Sequence, residues 1–149
     1  MCFPRECAEE VHLLGDGMIV GIGTDLLDVG RMARELSRPS EGFRDDVFTP
    51  AEVSYCEARA HPAQHYAARF AAKEAFWKAL GAPAGAPLRD VEVERGELGP
   101  PRLVLKGRAL AEAGRLGVEH AHVSLTHTTT LASACVVLEG GSKREGDEG

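Results

Sequence analysis

The chain has 149 residues, 44% of them hydrophobic, which predicts a single soluble domain with enough apolar residues to build a core. Its apolar runs are far shorter than the roughly 20 residues that cross a bilayer. The first residues also lack the basic and then apolar segments of a secretory signal. A net charge of −6 disfavours a nucleic-acid partner, because phosphate backbones recruit basic surfaces.

The charge is concentrated at the two ends. Residues 1–17 contain one basic and four acidic side chains and residues 140–149 contain two and three, so residues 18–139 hold 14 and 16. The tail 140–149 has no apolar residue to bury, and we expect it to be disordered. Residues 1–17 form a peripheral extension, or Met18 is the natural start. We therefore expect the folded domain to span residues 18–139.

The four cysteines are widely scattered, at Cys2, Cys7, Cys56 and Cys135. They form neither a C-x-x-C motif nor a dense disulfide framework. This usage predicts free thiols in the reducing cytoplasm and argues against a zinc site built from cysteine.

The first predicted elements are a strand and a helix. Residues 18–24 form an apolar strand in which Gly21 and Gly23 permit close approach by another backbone, and Asp25 lies at its end. A helix over residues 27–36 follows. Its apolar face consists of Val29, Met32, Ala33 and Leu36. The opposite face carries three arginines, namely Arg31, Arg34 and Arg38.

A second helix begins at Thr49-Pro50, because threonine caps a helix, proline suits its first turn and Glu52 completes a capping box. A long helix then runs from about Pro62 to Leu80 and is ended by Gly81. Beyond the loop 81–87, we predict strands at 91–94, 103–105, 121–126 and 131–138, and a short helix at 108–116. Because the strands and helices lack a regular βαβ spacing, the fold is predicted to be α+β, with an antiparallel sheet packed on the long helix.

The long helix carries the most informative side chains. Three aromatic residues share one side (Tyr66, Phe70 and Trp77), and four alanines lie nearly opposite (Ala68, Ala72, Ala75 and Ala79). Between these faces, Ala67 and Ala71 leave space beside Glu74 and Lys78, which predicts a pocket. The alternative is that Glu74 and Lys78 form a solvated i, i+4 pair worth about 0.2–0.5 kcal/mol.

Asp25 supplies a second candidate carboxylate. Mg²⁺ is usually held by one or two carboxylates together with water and substrate phosphates, so Asp25 and Glu74 could form such a site if they converge. Arg69, about a turn before Glu74, and Lys73, directly before it, add positive charge suited to a phosphate. Asp25 fits equally well as the N-cap of the following helix.

The histidines offer further candidates. His127 and Thr128 follow an alternating strand, at an end where polar groups meet a ligand, although a lone histidine also serves as a structural group. Two histidine pairs have spacings compatible with zinc, His61 with His65 and His120 with His122. The sequence around them lacks the glutamate of an H-E-x-x-H motif and a convincing third ligand, which argues against a zinc hydrolase.

Three segments together resemble one family. They are GIGTD at residues 21–25, RFAAKEAFWK at 69–78 and VSLTHT at 123–128. In this order they resemble the holo-[acyl-carrier-protein] synthases, the small free-standing bacterial branch of the 4′-phosphopantetheinyl transferases, and the similarity spans residues 18–139. The resemblance implies transfer of 4′-phosphopantetheine from coenzyme A to a serine of apo acyl carrier protein, for fatty-acid or polyketide synthesis. Adenosine 3′,5′-bisphosphate is released.

The resemblance also implies roles for individual residues. Asp25 and Glu74 would hold Mg²⁺, and Lys78 would lie by the pyrophosphate, where it stabilises charge or assists proton removal. Four further residues would bind the co-substrate coenzyme A. His127 and Thr128 would contact it, and the positive charges of Arg69 and Lys73 would favour its phosphates. The loop 81–87, which contains two prolines where relatives have a glycine-rich loop, receives no assignment.

Two partners follow from the resemblance. Members of the family are trimers with active sites between subunits, so we expect a homotrimer. The family docks its acidic carrier where this chain has the arginine stripe of Arg31, Arg34 and Arg38. The alternative is a non-catalytic module that binds an acidic protein through the same stripe and has no need of Asp25, Glu74 and Lys78.

Overall fold

A computed structural model describes residues 17–39, 42–81, 85–95 and 98–141. Of the predicted extension 1–17 and tail 140–149, residues 1–16 and 142–149 lie outside these ranges. Gly140 is paired in a strand, so the folded domain extends past its predicted end at residue 139. The strands are β1 (Met18–Asp28), β2 (Val91–Glu94), β3 (Arg102–Leu105), β4 (Val118–His127) and β5 (Leu131–Gly140). The α-helices are α1 (Val29–Ser37), α2 (Phe43–Val47), α3 (Pro50–Glu57), α4 (Pro62–Ala79) and α5 (Gly107–Arg115).

The strands form two antiparallel sheets. β5 lies between β1 and β4 in a three-stranded sheet, and β2 pairs with β3. The long helix α4 packs across β1 and β5. This arrangement confirms the predicted α+β class and the packing of an antiparallel sheet on the long helix.

The contact between α4 and β1 depends on two glycines. A Cβ atom at Gly23 would collide with the carbonyl oxygen of Ala75, and one at Gly21 would collide with that of Ala79. The close backbone approach predicted for these glycines is therefore confirmed. It places the Asp25 end of β1 directly beside the Glu74 turn of α4.

Buried side chains form two apolar clusters along α4. The first lies between the second half of α4, the sheet and α5, and includes Ala75, Phe76, Val91, Ala109, Val136 and Leu138. The second lies between the first half of α4 and helices α1 to α3, and includes Met32, Phe48, Cys56, Tyr66, Ala67 and Ala68. Both sides of α4 are buried, as its aromatic and alanine faces predicted. Within the described residues, none of the helices combines the length and apolar composition required to span a bilayer.

The predicted start of the first helix was two residues early. β1 continues to Asp28, which pairs with Leu131 of β5, so Asp25 lies inside the strand and not at its end. Asp28 is the N-cap, and its side chain accepts a hydrogen bond from the Arg31 backbone N–H at 2.8 Å. The N-cap alternative for Asp25 was therefore wrong, and its carboxylate remains available for other contacts.

Other differences are smaller. Ala33 is exposed although it was placed on the apolar face of the first helix, and Arg38 is the C-cap residue just beyond α1. The five-residue helix α2 was not predicted. The Thr49–Glu52 capping box is confirmed, with the Glu52 backbone N–H donating to Thr49 Oγ1 and the Thr49 backbone N–H donating to Glu52 Oε1.

Candidate active site

Asp25, Glu74 and Lys78 meet at the seam between β1 and α4. Lys78 Nζ lies 2.9 Å from Asp25 Oδ1 and also donates to the Thr24 carbonyl at 3.2 Å. Asp25 and Glu74 line one cavity of about 460 Å³. The rest of its lining includes charged Arg31 and Glu35 and apolar Met32, Phe43 and Phe70. The three residues predicted for phosphoryl chemistry are therefore brought together.

The two carboxylates affect each other electrostatically. Burial raises the pKa of Glu74, and the negative charge of Asp25 raises it further, while Lys78 acts in the opposite direction. A cation bound between the two carboxylates would remove this repulsion. The alternative of a solvated Glu74–Lys78 pair is not observed, because Lys78 pairs with Asp25 and Glu74 is partly buried.

This donor set fits Mg²⁺. Carboxylate oxygens are the hard ligands that Mg²⁺ prefers, and one or two of them suffice when water and substrate phosphates complete the octahedron. Among the described residues, no group of three or more histidine, cysteine, aspartate or glutamate side chains could enclose a metal. The chain thus offers Asp25 and Glu74 as an open half-site and not as a closed protein cage.

A second cavity, of about 270 Å³, lies between the first half of α4 and the end of β4. Positively charged or ionisable side chains dominate its lining: His65, Arg69, Arg95 and His127. The imidazole rings of His65 and His127 pack edge to face with centroids 5.4 Å apart. Burial lowers the pKa of His65, and the neighbouring His127 and Arg69 lower it further. Such surroundings favour an anion.

Arg69 is almost completely buried, with 2% of its surface exposed. Its Nη1 donates to the His65 carbonyl at 3.5 Å, whereas Nε and Nη2 have no hydrogen-bond partner among the described residues. Its guanidinium carbon lies 4.0 Å from the centroid of the Tyr55 ring. Arg69 therefore brings a positive charge to the second cavity.

His127 and Thr128 occupy the turn that joins β4 to β5. His127 is the last residue of β4 and is exposed. Thr128 Oγ1 accepts hydrogen bonds from the backbone N–H groups of Thr130 and Leu131, at 3.2 and 3.0 Å. The Thr128 side chain thus shapes the turn, and His127 presents its imidazole at the second cavity.

The position of Lys73 does not support its predicted role in favouring the phosphates of coenzyme A. Neither its side chain nor that of Glu52 is exposed, and the two form an ion pair at 2.7 Å. Lys73 Nζ also donates to the carbonyls of Val91 at 2.5 Å and Leu88 at 3.3 Å. Its three donors are used inside the protein, so it acts as an internal cross-link between α4, α3 and β2.

The arginine stripe lies beside the first cavity. Arg31, Arg34 and Arg38 are all exposed. Arg31 lines the cavity that contains Asp25 and Glu74, and Arg38 forms a surface pair with Glu35 at 3.6 Å. The basic surface therefore adjoins the candidate site.

Three residues that line or support the cavities were not predicted from the sequence, namely Tyr55, Arg95 and Phe43. Tyr55 contacts Arg69 from a different helix, so no helical period links the two. His65 was considered only for zinc. Only the tertiary packing of α3, α4 and β4 brings these side chains together.

Comparison with known proteins agrees with this geometry. Residues 21–135 match the family model of the 4′-phosphopantetheinyl transferase superfamily. The chain is 52% identical over 126 residues to the holo-[acyl-carrier-protein] synthase of Anaeromyxobacter dehalogenans. It is 48% identical over 125 residues to the protein of that name from Syntrophus aciditrophicus. Each alignment covers 83% of this chain and 98% of the relative.

A solved structure supports the same relationship. The structure of the ACPS–CoA complex from Chronobacterium ammoniagenes matches with a TM-score of 0.70 at 30% identity, covering 80% of this chain and 96% of that one. Both the sequence and the fold therefore agree over nearly the whole length of the relatives. The chain belongs to the 4′-phosphopantetheinyl transferase superfamily, within which it groups with the holo-[acyl-carrier-protein] synthases.

Proposed function

We propose that this protein transfers 4′-phosphopantetheine from coenzyme A to a serine of an apo acyl carrier protein. The observation that carries the proposal is the convergence of Asp25 and Glu74 at one cavity, with Lys78 paired to Asp25. The relatives named above are holo-[acyl-carrier-protein] synthases, and one neighbouring structure is described as a complex with coenzyme A.

The reaction requires positioning and charge neutralisation more than covalent help from the protein. The carrier serine oxygen attacks the β-phosphorus of coenzyme A, and adenosine 3′,5′-bisphosphate leaves. Asp25 and Glu74 would hold Mg²⁺, which when bound neutralises phosphate charge. Lys78, on the turn after Glu74, stabilises the negative charge of the pyrophosphate or assists removal of the serine proton.

Coenzyme A extends, in this proposal, from the first cavity to the second. Arg69 and His127 line the second cavity, where their positive or ionisable groups suit the phosphates. Thr128 follows His127 and is also exposed. Lys73 has no part in this binding, because its three hydrogen bonds all go to groups inside the protein.

The carrier protein docks on the arginine stripe in this proposal. Acyl carrier proteins are acidic, and Arg31, Arg34 and Arg38 form an exposed basic surface beside the catalytic cavity. Complementary charge steers such an encounter and orients the carrier serine toward the cavity. A non-catalytic module would use the stripe alone, and the convergence of two carboxylates and a lysine favours the enzyme.

We also propose a homotrimer in the cytoplasm, with active sites between subunits. The exposed side of β1 carries large apolar side chains that a partner subunit would cover: Met18, Ile19, Ile22 and Leu26. Cys56 and Cys135 are free thiols, in keeping with a reducing compartment.

The test is a transfer assay by mass spectrometry. Purified protein is incubated with coenzyme A, Mg²⁺ and an apo acyl carrier protein, and the carrier is expected to gain the mass of phosphopantetheine. Glu74→Gln and addition of a chelator should each abolish the gain, because each removes the metal site. Glu112→Gln is the matched control, since Glu112 pairs with Arg115 on α5 and does not line the cavity.

The same assay separates the two functions. A mass gain that survives Glu74→Gln or chelation would overturn the proposed mechanism. If several carriers bind without gaining mass, and binding is unchanged in Glu74→Gln, the protein is the non-catalytic module instead.

A further inference from the structure

Arg69 is a buried cation that forms no ion pair with a carboxylate within the described part of the chain. The side chain is 98% buried, none of the ion pairs of the described residues includes it, and two of its nitrogens lack partners. A buried guanidinium without a counter-ion is costly unless a ligand or another group stabilises it. The groups around Arg69 therefore indicate what stabilises its charge.

The adjoining cavity favours a negatively charged ligand. It is lined by Arg69 and Arg95 together with His65 and His127, and none of the described residues that line it is acidic. With a volume of about 270 Å³, it has room for a phosphate group. An anion there would pair with the positive charge of Arg69, which forms no ion pair with Glu92 or Glu94 on its other side.

Tyr55 packs against the Arg69 guanidinium from a third cavity of about 360 Å³, which Arg69 and Arg95 also line, together with Glu92 and Glu94. The Arg69 guanidinium carbon lies 4.0 Å from the ring centroid, and that of Arg59 lies 4.1 Å from it. The ring also packs edge to face on His65, with centroids 5.9 Å apart. The face of an aromatic ring attracts cations. Tyr55 on α3 thus contacts two side chains of α4, Arg69 and His65, that line the second cavity.

We propose that Tyr55 is a positioning residue that fixes the Arg69 charge beside the second cavity and thereby increases the affinity for the phosphates of coenzyme A. This inference rests on the proposed function. Tyr55 acts through Arg69 and touches none of the reacting atoms. The ring and not the hydroxyl makes the described contacts, so phenylalanine should replace it.

The test compares Tyr55→Leu with Tyr55→Phe in steady-state transfer. Tyr55→Leu is expected to raise KM for coenzyme A about 2- to 30-fold, the range of one cation–π contact, and to leave kcat within about twofold. Tyr55→Phe should restore the wild-type KM. Isothermal titration of coenzyme A into the full chain with Mg²⁺ should give the same ratio of affinities.

A double-mutant cycle identifies the route of the effect. If Tyr55 acts through Arg69, then Tyr55→Leu in an Arg69→Met background should add little to the increase in KM. Additive effects would overturn the inference. An unchanged KM in Tyr55→Leu, or a fall only in thermal stability, would also overturn it. Tyr55→Met is the second variant if the leucine variant does not fold.

The failure of this inference differs from failure of the proposed function. If wild-type protein binds coenzyme A and modifies the carrier while Tyr55→Leu retains the wild-type KM, only the role of Tyr55 is rejected. If wild-type protein neither binds coenzyme A nor modifies any carrier, the proposed function and the inference are both rejected.

Discussion

At the scale of single residues, the Glu52–Lys73 pair shows how charge is used inside the protein. Both side chains are fully buried, and Glu52 Oε2 also accepts the Val93 backbone N–H at 3.1 Å. Removal of one charge from such a pair leaves the other buried and unpaired, which is more costly than removal of the pair as a whole. The pair therefore joins α3, α4 and β2, and each of its two charges stabilises the other.

Lys73→Met should lower the free energy of unfolding by about 3–5 kcal/mol, because the Glu52 carboxylate is left without its cation. The double variant Glu52→Gln/Lys73→Met should lose less, since it buries no net charge. Urea denaturation of the three proteins measures both differences. A loss of only about 0.5 kcal/mol in Lys73→Met, as for a surface substitution, would contradict this account.

Single residues also mark the limit of sequence reasoning. The types and spacing of Asp25 and Glu74 left open whether they converge, and the family resemblance implied a common site with Lys78. In the structure, Asp25 and Glu74 line one cavity and Lys78 pairs with Asp25. The inward direction of Lys73 was not predictable, because its partner Glu52 is 21 residues away on another helix. The local pattern places Lys73 one residue before Glu74, but only tertiary packing shows that it faces the interior.

At the scale of elements, the seam between α4 and β1 depends on glycine. Gly23→Ala should destabilise the fold, because the new methyl group would collide with the Ala75 carbonyl and would push the helix from the strand. We expect a loss of about 1–3 kcal/mol, as for other overpacked cores, measured by urea denaturation. Transfer activity should fall as well, since Asp25 would move away from Glu74.

Gly114→Ala is the matched control for the glycine substitution. Gly114 is an exposed residue of α5, and a Cβ there would meet nothing within 4 Å. Alanine in a helix is favoured over glycine, so this variant should be more stable than wild type by about 0.5–1 kcal/mol. Equal effects of the two substitutions would show that the seam is not tightly packed.

The elements differ in how well the sequence predicted them. The long helix α4 was predicted nearly to its ends, because its faces repeat with the helical period and Gly81 adopts a positive φ of 96° just beyond its C-cap. The end of β1 was misplaced because β5 continues to pair with it as far as Asp28. Strand length depends on such distant pairing, which local propensity does not report.

At the scale of the whole molecule, the arginine stripe should control the encounter with the carrier. Arg34→Glu/Arg38→Glu should raise KM for the carrier by at least about tenfold at low salt, because charge reversal turns attraction into repulsion. The difference should shrink as salt screens the charges. KM for coenzyme A should stay unchanged, since neither residue lines the described cavities.

Arg115→Glu provides the control for charge reversal. Arg115 lies on the surface of α5, where it pairs with Glu112 at 2.9 Å. Its reversal alters the net charge of the protein without changing the stripe. The two variants are compared by the increase in KM for the carrier divided by the number of charges reversed. If this value is the same for both, net charge and not the stripe governs the encounter.

The two glycines of the seam have a last consequence for the candidate site. Asp25 and Glu74 belong to separate elements, yet the distance between those elements is set by main-chain atoms that all amino acids share. The gap between the two carboxylates therefore depends on main-chain contacts as well as on the packing of the two apolar clusters. We expect an added atom at Gly21 or Gly23 to change that gap more directly than a substitution in either cluster.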